Sequence, residues 1–155
     1  MKSIELIPEE IDIAKALATK RHEACQASGV KDKQKGDQDP IEIHFTGFCG
    51  ELACAKFLNV YADYSTHIRK GGWDLIGKNG KKIDVKTSKN INGKLYIEIS
   101  KKPDAVDFYI FCTKEDSLVN IVGYIASKDA ICESNIGDVG HGLSYVIPQN
   151  RLIPI

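Results

Sequence analysis

Three absences narrow what this 155-residue chain can be. No run approaches the ~20 apolar residues that a membrane helix requires, and Met1-Lys2-Ser3-Ile4-Glu5 lacks the apolar core of a secretory signal. The expectation is a cytoplasmic protein that does not enter a membrane. The five cysteines, Cys25, Cys49, Cys54, Cys112 and Cys132, include no Cys-x-x-Cys pair. The four histidines, His22, His44, His67 and His141, show no zinc-ligand spacing. A zinc ribbon is thereby excluded, and buried, reduced thiols are expected. Net charge is also missing, with 21 bases against 21 acids, which argues mildly against a general polyanion binder. The charge is unevenly spread, however. Between Arg69 and Lys102 ten bases face three acids, a local excess of +7 that marks either a polyanion face or a solvated lysine-rich hairpin.

What is present reads as one domain over residues 1–155. An N-terminal helix and polar loop fill 1–40, a core fills 41–130, and a strand and tail fill 131–155. Pro8-Glu9-Glu10 starts a helix whose apolar positions run through Ile11, Ala14 and Leu17 to Cys25, and Gly29 stops it. Residues 30–40 read as an exposed loop. A second helix is predicted from about His44 to Asn59, with Gly47 and Gly50 implying close approach to a neighbour. Strands follow at Trp73–Gly77, Lys82–Ser88, Lys94–Ser100, Val106–Thr113 and Leu118–Ile125, with turn signals at Asn79-Gly80 and Asn92-Gly93. The apolar run at 106–113 predicts a central strand. Ser127 is a candidate cap for a short helix over Lys128–Cys132, and Leu143–Ile147 reads as the last strand before a docked tail. The order predicts an α/β or α+β fold in which helices flank one mixed central sheet.

Chemistry concentrates in Trp73-Asp74-Leu75-Ile76-Gly77 and Lys82-Ile83-Asp84-Val85-Lys86-Thr87. Alternation along a strand puts Asp84 and Lys86 on one face, and the intervening turn brings Asp74 towards them. Two carboxylates beside one ammonium suit phosphodiester hydrolysis. Carboxylate oxygens hold magnesium, and a lysine stabilises developing negative charge. The plainer alternative is a surface hairpin carrying an Asp–Lys ion pair. His22, Arg21 and Glu23 on the first helix read as solvated.

The pattern resembles the PD-(D/E)xK nuclease superfamily, which holds restriction enzymes, junction resolvases and phage-type exonucleases. The resemblance covers roughly Gly47 to Lys128. Asp74 matches the first acid, though Trp73 stands where the motif has proline, and Asp84 and Lys86 match the second acid and the lysine. Glu51, in Gly47-Phe48-Cys49-Gly50-Glu51-Leu52, matches the glutamate on the preceding helix. What the resemblance implies is a restriction-endonuclease-like fold and a Mg²⁺ ion, replaceable by Mn²⁺, on Asp74, Asp84 and the Val85 carbonyl. Glu51 would assist, and Arg69, Lys70, Thr87, Ser88 and Lys89 would lie near the substrate backbone. The implied activity is DNA cleavage by a compact, structure-selective endonuclease, expected as a homodimer. A catalytically inactive DNA- or protein-binding module on the same fold is the other reading.

Overall fold

The computed structural model describes residues 1–29, 38–67 and 72–155. It is an α+β fold with two sheets where the sequence suggested one. Strands β1 (Lys2–Glu5), β2 (Leu75–Ile76), β3 (Lys82–Ser88), β5 (Phe108–Glu115) and β6 (Leu118–Ala126) form a mixed sheet in the order β1-β6-β5-β3-β2. Strands β4 (Leu95–Glu98), β7 (Ile136–Asp138) and β8 (Leu143–Ile147) form a second sheet in the order β4-β8-β7. The larger sheet is antiparallel except where β3 and β5 run parallel.

Helices α1 (Pro8–Ala27) and α2 (Pro40–Leu58) cover one face of the larger sheet. The small buried residues Ala14 and Ala18 let α1 sit close to α2. Asp39 caps α2 by accepting from the Ile41 N–H at 3.0 Å, with Pro40 in the first turn. The helix therefore begins one turn before the expected His44. Its glycines divide. A Cβ on Gly50 would overlap Thr87 Oγ1 of β3, whereas one on Gly47 would meet open space. The close approach read from both glycines belongs to Gly50 alone.

The second sheet covers the opposite face, and its departure from the first has a physical reason. In β4 only Leu95 and Ile97 are buried, while Tyr96 is exposed. Such a strand suits an outer layer. The run Tyr109-Ile110-Phe111-Cys112 is buried on both faces and takes the central place beside β3, as expected. Ile110 and Cys112 face the helices, and Tyr109 and Phe111 face the second sheet.

A bulge in β6 completes the arrangement. Phe111 pairs with Gly123 and Cys112 with Ile121, leaving Val122 as the extra residue. Val119 and Ile121 can thus face the helices while Ile125 faces the second sheet. Beyond the bulge the C-terminal tail pairs with β6, with Tyr124 and Ile153 exchanging backbone hydrogen bonds of 2.9 and 2.8 Å. The first expected strand shrinks to Leu75–Ile76, and the short helix to one turn, α3 (Ser127–Ala130), starting at Ser127 itself.

The five cysteines, all among the described residues, form no disulfide; four are buried and Cys132 is half-buried. Among the described residues no helix is long and apolar enough to cross a membrane.

Candidate active site

The site is built on the β2–β3 hairpin. The turn closes through the Gly77 N–H donating to Lys81 O at 2.8 Å, and Gly80 adopts φ +75° there. Just before β2, Asp74 continues the pairing by donating its N–H to Ile83 O at 2.8 Å. The Asp74 carboxylate then accepts from the Val85 N–H at 2.7 Å. A strand residue presents its N–H and C=O along the same edge. The Val85 carbonyl therefore faces the edge where Asp74 sits.

Asp84 points to the second-sheet side of β3. It is 2% exposed and opposite Tyr109 in the parallel register. One carboxylate oxygen takes the Lys86 ammonium, and the other lies 3.5 Å from Lys101 Nζ. Lys101 also reaches the Gly72 carbonyl at 3.5 Å. Burial alone would pull the Lys86 pKa down. The Asp84 and Asp74 carboxylates outweigh it and hold that ammonium above the ordinary lysine value. Among the described residues, two carboxylates and two ammoniums thus gather at the head of the hairpin. Beneath them the Tyr109 phenol is pushed up to about 12, by burial first and by the Asp84 charge next.

Asp74, Asp84 and Lys86 come together as the sequence implied. Glu51 is half-buried on α2, the helix that packs on β3. Among the described residues, however, no three His, Cys, Asp or Glu side chains are grouped to hold one ion. Thr87, Ser88 and Lys89 line a cavity that also reaches Lys86. Arg69 and Lys70 lie outside the described residues. Trp73 packs against the second core with Lys82 Nζ 4.2 Å from its ring centroid, an anchor for the hairpin. His22 lies beside His44, with ring centroids 6.5 Å apart.

Sequence reasoning missed Lys101 as a member of the cluster. It follows β4, and β4 belongs to the other sheet, so no spacing along the chain ties it to Asp84. Tyr109 was legible only as a buried strand residue. Its place against Asp84 depends on the parallel β3–β5 register.

Compared with protein-family models and with curated protein sequences, the chain matches none.

Proposed function

We propose that this protein is a metal-dependent nuclease of the PD-(D/E)xK type, with a restriction-endonuclease-like core, that hydrolyses DNA phosphodiester bonds. The observation that carries the reading is the convergence of Asp74, Asp84 and Lys86 on one hairpin, with the Asp74 carboxylate 2.7 Å from the Val85 amide.

The donor set fits a hard divalent ion, because two carboxylates and a strand-edge carbonyl offer only oxygen. Asp74, Asp84 and the Val85 carbonyl would hold it. When bound, the ion supplies a polarised phosphoryl oxygen and an acidified water. The chain's own contribution is electrostatic. Lys86, with its raised pKa, stays an ammonium at neutral pH and serves as a cation and hydrogen-bond donor towards a phosphoryl oxygen, not as a base. Asp84 orients Lys86, and the Val85 amide fixes one oxygen of Asp74. Lys101, at 3.5 Å, makes the longer of the two ammonium contacts on Asp84, and it is the one that would give way if Asp84 held the ion.

The test is cleavage of a supercoiled plasmid and a four-way junction with Mg²⁺ or Mn²⁺, beside EDTA and the Asp84→Asn variant. Metal-dependent cutting that the variant loses supports the reading. Cutting by the variant at the wild-type rate overturns it. Paired cuts across a junction require two sites, so a homodimer by light scattering is the expected active form.

A second reading, a non-catalytic DNA- or protein-binding module on this fold, is favoured by one observation: Asp84 is already neutralised by two ammoniums. Calorimetry separates the two, since the module takes up no Mg²⁺ at Asp74 and Asp84.

A further inference from the structure

Beside the Asp–Lys cluster lies a cavity of about 550 Å³, between the N-terminal half of α2 and the ends of β3 and β4. That volume lies within the range of small-molecule sites. Its walls include Thr46, Thr87, Lys86, Lys89, Lys94 and Tyr96. We propose that this cavity binds a nucleoside phosphate, presented as an unpaired nucleotide of the DNA strand.

Three features argue for that ligand. The first is unmet hydrogen bonding. Thr46 is only 6% exposed, and its hydroxyl is buried without a partner among the described residues. A buried hydroxyl without a partner is costly, and a ligand with both donors and acceptors relieves the cost. A purely anionic or purely apolar ligand does not.

The second is the arrangement of charge. Lys86 is engaged by Asp84, and Lys89 by Glu42 at 2.5 Å. Lys94 makes no ion pair among the described residues. Asp39 and Glu42 line the α2 side and repel a phosphate there. The phosphate therefore belongs on the strand side, with Lys86 and Lys94, and the base edge towards the Thr46 hydroxyl.

The third is Tyr96. It projects from β4 with 40% exposure while its neighbours Leu95 and Ile97 are fully buried. An aromatic ring on the wall of a lysine-bearing cavity is a stacking surface for a base. A base still paired in a duplex cannot enter such a cavity, so the ligand is an unpaired nucleotide. The inference deepens the nuclease reading. It rests on that reading only in taking the bound phosphate to neighbour the one that is cut.

The test is fluorescence anisotropy in EDTA, with the full chain, using fluorescein-labelled single-stranded dT12 and a 12-base-pair duplex, and free dTMP as competitor. Expected are at least about tenfold tighter binding of the single strand and a loss of about 5- to 150-fold with Tyr96→Ala. Lys94→Glu should weaken binding similarly, because it reverses the charge that meets the phosphate. Thr46→Val should weaken binding although its melting temperature does not fall, an outcome that a structural role would not produce. Displacement of dT12 by dTMP at equal concentration identifies a free nucleotide as sufficient ligand, and its failure identifies the strand. Duplex binding as tight as single-strand binding, unaltered affinity in the three variants, or no binding overturns the proposal. If cleavage fails but these results hold, the nuclease reading falls and the site stands. If cleavage is metal-dependent but the variants bind normally, only the site falls.

Discussion

Asp84→Asn should cost stability as well as any activity, and the amount follows from how the cluster is buried. Asp84 has a side-chain exposure of 3%, and its partner Lys86 reaches 35%. Removing one partner of a fully buried ion pair costs about 3–5 kcal/mol, because the other charge is stranded. Breaking an exposed pair costs about 0–1 kcal/mol. Here the acid is buried and the lysine reaches water, so the cost lies between these limits, at about 2 kcal/mol. For a chain of this size that lowers the melting temperature by about 4–8 °C. Urea denaturation in EDTA, followed by circular dichroism, reads the change as a lower midpoint at unchanged slope. The same argument requires that Asp84→Asn/Lys86→Met recover part of the loss, since one of the two stranded ammoniums is gone while Lys101 remains. An unchanged midpoint in the single variant, or a double variant no better than the single, would refute the view of Asp84 as a buried, charge-compensated acid. The surface ion pair that the sequence offered as the plainer alternative would cost little to break, and the burial of Asp84 is what raises the cost.

Other expectations follow from the same geometry. Lys101→Ala should tighten Mg²⁺ binding by calorimetry severalfold, because it frees one carboxylate oxygen of Asp84; unchanged affinity would mean that Lys101 does not compete with the metal. Gly50→Ala gains about 1 kcal/mol of helix propensity but forces Thr87 aside, at about 1–3 kcal/mol, so a net loss of up to about 2 kcal/mol is expected by urea melts. A stabilised variant would show that α2 yields. Tyr109 and Lys86 both have pKa values raised in the folded state, so their contribution to stability is complete below the unfolded values. That contribution should fall from about pH 10 upward, through the folded Tyr109 value of about 12. Ultraviolet titration should find one tyrosine that ionises late and is absent in Tyr109→Phe.

The strands nearest the candidate site were the most legible part of the chain. Strand β3 spans Lys82–Ser88 as read from sequence, because its alternation and the Asn79-Gly80 turn agree. The first turn of α2 was missed because Asp39-Pro40 looks like the end of a loop, although it is equally a cap followed by a favoured first-turn residue. Strand β1 escaped because Lys2–Glu5 buries no side chain fully and is held by its backbone pairing with Leu118–Ile121. The second sheet was illegible for a related reason. Alternation in β4 says that one face is buried, not which sheet buries it, and β4 pairs with β8 nearly fifty residues away.

The same distinction separates the parts of the cluster. Asp74, Asp84 and Lys86 meet through a two-strand hairpin, where local rules decide which side chains share a face. Lys101 and Tyr109 reach Asp84 only because β3 pairs with β5 and the chain between them crosses into another layer. A motif read from sequence therefore yields an acidic pair with one lysine, net negative and disposed to take a cation. The folded chain instead balances those acids with a second ammonium from the other layer. Whether that balance holds or yields to a divalent ion decides between a nuclease and an inert module, and Lys101 is the residue on which it turns.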